Sequence, residues 1–287
     1  MAMRSIVCLF DGTEHEFSAL DTAITIARHN LGHLRIVHPF RPLSTAMRRS
    51  VGAYVLNDEV WEAIRDSHER WTASAREKAA EIVKGHQLML DAGETDLPRV
   101  SFVQLEDEDG DDLRQLALCD LIVVGASLDS DFFSRPGAQR ALMRSGRPVL
   151  LVRARASGGS AKVLGGGCAV LWNGSAEAIR SLINAQQVLE GAREVFLIVT
   201  EKSGASGDQI SAARDYLVAH GIDPRLELVE QCADVPLAEV VLERVRELRC
   251  DVIAMGAYGH SAFRETVLGG FSRHMLQNSE IPLLMSH

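Results

Sequence analysis

The sequence predicts an α/β protein made of two tandem domains, each a doubly wound parallel sheet of five strands. Short apolar runs of strand length alternate with longer helical patterns, the second half repeats the order of the first, and a glycine- and serine-rich stretch over 154–167 separates the halves. Alternating strands and helices favour parallel pairing, because each helix returns the chain to the same end of the sheet. The chain of 287 residues is long enough for two domains of ordinary size. We expect a domain over 1–153, a linker over 154–167 and a domain over 168–287.

The first half contains five apolar runs that predict strands, over 5–10, 34–40, 99–105, 119–126 and 147–152. Helical periodicity falls between them, over 16–31, 58–84, a short stretch ending near Leu118, and 135–146. The helix over 58–84 carries Trp61 and Trp71 in phase with its apolar face, as core or interface anchors or as a cover for a neighbouring subunit or a ligand pocket. If the protein is a scaffold for protein partners, the two tryptophans and the irregular insertion over 41–57 would form its contact surface.

The second half repeats this order of elements. Its predicted strands lie over 168–172, 194–199, 225–230, 251–255 and 281–285. Its predicted helices lie over 176–189, 207–220, 236–248 and 265–278. The repetition indicates a second copy of the same architecture.

The repeat is also visible in the residues themselves. CDLIVVGA at 119–126 aligns with CDVIAMGA at 250–257, and RPVLL at 147–151 aligns with IPLLM at 281–285. Asp11-Gly12-Thr13 aligns with Asn173-Gly174-Ser175. In each half, a polar residue followed by glycine therefore ends the first strand, where an open parallel sheet binds its ligands.

The stretch over 251–271 carries the strongest functional pattern. A buried strand ends at Gly256, Gly259 follows, and after nine residues come Gly269 and Gly270 at the start of a helical pattern. Glycines leave backbone N–H groups accessible, and a helix N-terminus favours an anion. Strand, glycine loop and helix N-terminus together predict a phosphate site.

These residues resemble those of tandem universal stress proteins, and the resemblance covers nearly the whole chain. It implies a strand order of 3-2-1-4-5 in each half and packing of the halves as a pseudo-dimer through their last strands. ATP-binding members have Gly, two residues, Gly, nine residues, then Gly and Ser or Thr; here Gly270 replaces the hydroxyl residue, and Asn173 replaces an Asp that contacts adenosine. The nucleotide-binding residues that the resemblance implies are Asn173, Val199, Met255, Gly256, Gly259, His260, Gly269, Gly270 and Phe271. His260 is either a phosphate donor or an exposed loop residue.

The first half departs from this pattern. Asp11 and Gly125 are kept, but Leu128 stands at the second glycine position, and Asp129 and Asp131 follow it. A leucine side chain would fill the phosphate position and the carboxylates would repel phosphate. We therefore expect no ATP in the first half.

Composition and the remaining motifs exclude several function classes. A net charge of −9 disfavours nucleic-acid binding, and five widely spaced cysteines indicate reduced thiols rather than a disulfide framework or a zinc site. The acidic run at 106–112 fails as a calcium loop because Leu105 and Leu116 occupy two ligand positions. No hydrolase, zinc-protease or Walker motif is present, so we expect no catalytic residues, no metal ligands and at most slow ATP hydrolysis. With no apolar run of about 20 residues and no signal-peptide pattern, we expect a cytoplasmic protein without membrane contact.

Two functions follow. The first is a stress-response binding module that holds ATP, with Mg²⁺, or a related adenine nucleotide in its C-terminal half and acts as a homodimer or an intramolecular pseudo-dimer. The alternative is a dimeric scaffold that binds protein partners and no nucleotide.

Overall fold

A computed structural model describes residues 3–40, 58–93, 97–106, 117–126, 136–154, 160–232, 234–257 and 270–287. The N-terminal half contains β1 (Ser5–Leu9), α1 (Phe17–His29), β2 (His33–Phe40), α2 (Asp58–Gly85), β3 (Arg99–Glu106), β4 (Leu121–Ala126), α3 (Pro136–Arg144) and β5 (Val149–Arg153). The C-terminal half contains β6 (Gly167–Trp172), α4 (Ala176–Glu190), β7 (Glu194–Thr200), α5 (Gly207–Ala219), β8 (Pro224–Val229), α6 (Leu237–Glu247), β9 (Cys250–Gly256), α7 (Gly270–Asn278) and β10 (Leu283–Ser286). The short helix expected before Leu118 and the first turn expected for the last helix lie outside the described residues.

The ten strands of the described residues form one sheet, in the order β3-β2-β1-β4-β5-β10-β9-β6-β7-β8. Each half therefore has the expected order 3-2-1-4-5, and the α/β fold with parallel pairing inside each half is confirmed. The halves join where β5 and β10 pair antiparallel, with Leu151 opposite Leu283 and Leu150 opposite Leu284. Because this pairing is antiparallel, the strands of the two halves run in opposite directions. The carboxyl ends of the strands in one half therefore lie on the same side of the sheet as the amino ends in the other half.

Two apolar layers enclose the sheet, and successive strand residues alternate between them. In β6, Cys168 and Val170 pack with α4 and α5, whereas Ala169 packs with α6 and α7. Alternation through a nearly continuous apolar strand is expected when helices cover both faces of a parallel sheet. The strand ends between these layers are the positions left for a ligand.

The repeated Cys-Asp pair has the same structural role in both halves. Asp120 accepts hydrogen bonds from the backbone N–H groups of Arg4 at 2.8 Å and Ser5 at 2.9 Å. Asp251 accepts one from the N–H of Gly167 at 3.0 Å. Each aspartate lies at the start of the fourth strand of its half, Asp120 just before β4 and Asp251 second in β9, and ties it to the beginning of the first strand.

Replacing Asp120 with alanine should lower the free energy of unfolding by about 2 kcal/mol, because two backbone donors lose a charged acceptor. Urea denaturation of the full chain measures this loss. Asp223→Ala is the matched control, since Asp223 is an exposed aspartate in a turn. Equal stability of the two variants would contradict the role assigned to Asp120.

Further contacts bind the halves together. The N–H of Ala161 donates to Thr22 Oγ1 at 2.8 Å, so the segment between the halves is attached to α1. The buried Arg153 guanidinium, at the end of β5, donates to the carbonyl oxygen of Leu276 in α7. Burial lowers the pKa of Arg153, and a carbonyl near a helix C-terminus is a favourable partner for a desolvated cation.

Trp71 is 43% exposed and is not a core anchor. Its ring meets the buried His38 ring edge-on, with centroids 4.5 Å apart. His38 Nδ1 donates to the carbonyl oxygen of Phe10 at 3.0 Å, and burial lowers the pKa of His38. The middle of α2 thus lies against His38 near the end of β2, and His38 in turn binds Phe10 just after β1. The side chain of Trp61 and the insertion over 41–57 lie outside the described residues.

All five cysteines are free thiols, and four of them are buried. Burial raises the pKa of Cys119 to about 11 and that of Cys168 and Cys250 to about 12. These thiols therefore stay protonated and unreactive at neutral pH. In the described part of the chain, no helix combines the length and apolar character that a membrane crossing requires.

Candidate functional site

A cavity of about 210 Å³ opens at the carboxyl ends of β6, β7 and β9. Strand order reverses between β6 and β9, so the crossover helices diverge there and leave a crevice. The apolar side of the cavity is formed by Leu171, Ile198, Leu237, Val241, Met255 and Phe271. The polar side is formed by Asn173, Ser175, Thr200, Lys202, Ser203 and Ser272.

Asn173 is held by a local turn. Its Oδ1 accepts from the N–H of Ser175 at 3.1 Å, and Gly174 adopts a positive φ of 72° that lets the chain reverse. Ser175 then caps α4 by accepting from the N–H of Ala178 at 3.2 Å. Oδ1 thus accepts within the turn, and the two Nδ2 hydrogens of Asn173 are its side-chain donors toward a ligand.

Gly256 is required by packing at the floor of the site. A Cβ added there would lie 2.7 Å from the carbonyl carbon of Glu177 and 2.8 Å from the backbone nitrogen of Ala178. Gly125 has the equivalent place in the first half, where an added Cβ would lie 2.8 Å from Glu16 Cα. The first glycine of the motif therefore lets the helix N-terminus pack on the strand end, with or without a phosphate site.

Ala178 and Glu16 distinguish the two halves. They occupy equivalent positions in the repeat, one at the start of α4 and the other just before α1. Ala178 lines the C-terminal cavity. The Glu16 side chain is buried and accepts a hydrogen bond from the N–H of Asp11. In the first half a carboxylate thus occupies the place that alanine leaves open in the second.

The first half is correspondingly anionic at its strand ends. Asp11, His15 and Glu16 each offer one atom that could coordinate a metal ion, and these three atoms lie within 4.8 Å of one another. Asp11 Oδ1 accepts from the N–H of Thr13 at 2.9 Å, and Lys78 Nζ donates to the carbonyl oxygen of Gly12 at 2.8 Å. Two carboxylates here oppose a phosphate by electrostatic repulsion. Leu128, Asp129 and Asp131 lie outside the described residues.

Four of the nine expected site residues meet at the cavity, namely Asn173, Met255, Gly256 and Phe271. Val199 does not join them, because it packs in the opposite core layer. Its neighbours Ile198 and Thr200 line the cavity instead. Gly270 begins α7 in an exposed position with open space around its Cα. Gly259, His260 and Gly269 lie outside the described residues.

Several lining residues were missed from the sequence. The alternation of strand side chains would have selected Ile198 and Thr200 over Val199. Ser272 lines the cavity two residues after Gly270, so a hydroxyl is present although the motif position lacks one. Lys202 and Ser203 come from a 3₁₀ turn after β7 that no motif signals.

Comparisons with known proteins agree with this architecture. The model of the universal stress protein family matches residues 184–287. A universal stress protein from Archaeoglobus fulgidus DSM 4304 is 14% identical with a TM-score of 0.68, and the match covers 100% of this chain and 99% of that one. A functionally unknown protein from Pseudomonas aeruginosa PAO1 is 15% identical with a TM-score of 0.55, over 99% and 92% of the two chains. No curated protein sequence matches significantly.

Proposed function

We propose that this chain, which carries a universal stress protein domain in its C-terminal half and repeats the fold of that domain in its N-terminal half, binds an adenine nucleotide in the C-terminal cavity. ATP with Mg²⁺ is the first ligand to test. The nucleotide would act as a regulatory ligand in a stress response, and we assign no catalytic residue.

One observation carries this proposal: the cavity joins an apolar side to a polar side with a cation, at the crevice where β6 and β9 diverge. A purine ring fits against apolar side chains such as Ile198, Val241 and Met255, and few oriented polar groups are needed to position it. The hydroxyls of Thr200, Ser203 and Ser272 offer partners for ribose and phosphate.

Charge supports the same assignment. Among the described lining residues, Lys202 is charged and no carboxylate is present. A phosphate therefore meets attraction here, whereas Asp11 and Glu16 would repel it in the first half. The proposal is accordingly restricted to one nucleotide per chain.

Calorimetric titration of the full chain tests this proposal, with ATP, AMP, adenosine and GTP as ligands. We expect saturable binding of ATP at one site and weaker binding of GTP. Mass spectrometry of small molecules released from heat-denatured protein tests for a ligand carried through purification. A chain that shows no binding heat with any of the four and releases no nucleotide would exclude the function.

Replacing Lys202 with glutamate should weaken ATP binding about tenfold and leave adenosine binding nearly unchanged. Lys202 is exposed, so solvent and salt screen the charge reversal and limit the size of its effect. Lys84→Glu, in the last turn of α2, changes the net charge equally at an exposed position of the other half. Equal losses of affinity in the two variants would indicate a general charge effect and contradict a local role of Lys202.

A further inference from the structure

The two edge strands of the ten-stranded sheet, β3 and β8, differ in how their outer backbone groups are covered. In the N-terminal half, the segment before β3 covers the outer edge of that strand, where Leu90 bridges Val100. The N–H of Asp91 donates to the Val100 carbonyl oxygen at 2.8 Å, and Asp91 Oδ1 accepts from the N–H of Phe102 at 2.9 Å. The outward carbonyl of Val100 and the outward N–H of Phe102, in the first half of β3, therefore have partners within the chain.

The matching registers of the halves identify the equivalent groups of β8. Val100 pairs with Leu34, and Pro224 pairs with Val195, at corresponding positions of the repeat. Backbone N–H and C=O groups of successive residues in a parallel strand point to opposite sides. The backbone groups of Pro224, Leu226 and Leu228 therefore point away from β7, as those of Val100 and Phe102 point away from β2. Pro224 has no N–H, so the outward donors of β8 are those of Leu226 and Leu228.

Nothing in the described chain covers these groups. The connection from α5 to β8 is a short turn over 220–223, too short to return along the strand. The side chains of Leu226 and Leu228 are 47% and 67% exposed. A bare edge strand with exposed leucines is a template for pairing with another chain.

Beside this edge lies an acidic groove, formed between β8 and the outer face of α6. Its acidic lining is Glu230, Glu239, Glu243 and Glu247, and its apolar lining includes Val235 and Val240. Arg244 is the basic residue of the groove, and it is engaged by Glu227 at 2.8 Å and by Glu247 at 2.8 Å. Glu243 pairs with Arg246 at 3.2 Å, and no ion pair among the described residues engages Glu230 or Glu239, so these two glutamates carry the uncompensated charge of the groove.

We propose that β8 and this acidic groove dock an extended, basic segment of a partner protein, which adds a strand to the sheet. The outward groups of Leu226 and Leu228 would supply main-chain hydrogen bonds, as in other cases of strand addition. Lysines or arginines at alternate positions would meet the glutamates, and aliphatic residues between them would cover the exposed leucines. A second copy of the chain does not fit, because pairing β8 with β8 would bring two sets of glutamates together.

The probe is a fluorescent octapeptide that alternates lysine with valine or threonine. Binding to the full chain is followed by fluorescence anisotropy, and hydrogen–deuterium exchange locates it. We expect slower exchange of the Leu226 and Leu228 amides when the peptide is bound. The same peptide with N-methyl groups on every residue keeps its charge but offers no N–H on either edge of the strand, and it should bind at least about tenfold more weakly.

Two sets of variants test the components of the site. The double variant Glu239→Lys and Glu243→Lys should weaken peptide binding at least about tenfold. Glu62→Lys with Glu69→Lys, both exposed on α2, changes net charge equally and should have little effect. Leu226→Pro removes an outward donor without removing a ladder hydrogen bond and should abolish binding, whereas Leu226→Ala should retain most of it.

Several outcomes would overturn the proposal. They are no binding at millimolar peptide, equal binding of the N-methylated peptide, equal effects of the two charge-reversal pairs, or exchange protection away from β8. A concentration-dependent dimer that is lost in Leu226→Pro would assign the edge to a second copy and also reject it. Circular dichroism and thermal unfolding of each variant check that the fold is retained. If a variant misfolds, the comparison of the unmodified and N-methylated peptides on the unmodified chain decides the test.

Discussion

An Ala178→Glu variant is expected to bind ATP about a hundredfold more weakly than the unmodified chain, with little change in its fold. Ala178 lines the C-terminal cavity, while the equivalent residue of the first half, Glu16, directs a buried carboxylate onto the N–H of Asp11. The substitution gives the second half the carboxylate that the first half has at the equivalent position. A glutamate at 178 would accept a hydrogen bond from the N–H of Asn173, as Glu16 accepts one from the N–H of Asp11.

The expected loss combines two effects. The glutamate side chain occupies part of the cavity, and its carboxylate faces the ligand phosphates in a site sheltered from water. Repulsion between like charges about 6 Å apart costs about 3 kcal/mol at an effective dielectric constant of about 20, and a hundredfold loss of affinity corresponds to about 2.7 kcal/mol. Calorimetric titration with ATP measures the loss, and a urea unfolding curve confirms that the protein remains folded.

Ala178→Gln separates charge from volume, because it fills the same space without a carboxylate. We expect it to weaken ATP binding less than Ala178→Glu does, and to weaken adenosine binding about as much. Undiminished ATP binding by Ala178→Glu would show that the nucleotide does not lie in this cavity. The reciprocal Glu16→Ala variant tests whether removing the carboxylate is enough to admit a nucleotide in the first half.

Gly256→Ala is expected to destabilise the protein by about 1–3 kcal/mol even without ligand. The added Cβ would lie 2.7 Å from the carbonyl carbon of Glu177, and backbone atoms cannot move aside as a flexible side chain can. The N-terminus of α4 must shift away from β9, at the cost typical of overpacking. Chemical denaturation of the unliganded chain measures the loss.

Gly125→Ala should be destabilising by a similar amount, since its added Cβ would lie 2.8 Å from Glu16 Cα. Gly207→Ala is the control, because no atom lies within 4 Å of its added Cβ, and alanine at a helical position should raise stability slightly. If Gly256→Ala were as stable as the unmodified chain and lost only nucleotide affinity, the packing role assigned to the first motif glycine would be wrong.

Much of the architecture was predictable because it follows from patterns among residues close together in the sequence. Apolar runs and helical periods located the strands and helices to within a few residues, and the Asp11-Gly12 and Asn173-Gly174 repeats located the ends of the first strands. The predicted site residues that lie at strand ends, such as Asn173 and Met255, line the cavity, and their binding of a nucleotide stays a prediction. The prediction did not include Ser272 and Lys202, which no motif marks, or Ile198, which the alternation of strand side chains would have selected.

The sequence by itself determined the element order, the duplication and the half that keeps the glycine spacing, since each is encoded by neighbouring residues. Only the tertiary structure decided that β5 and β10 join the halves into one sheet, that Glu16 fills in one half the space that Ala178 leaves in the other, and that β8 has a bare edge while β3 is covered. These features depend on residues far apart in the chain, whose contacts arise from packing and strand direction rather than from any local pattern.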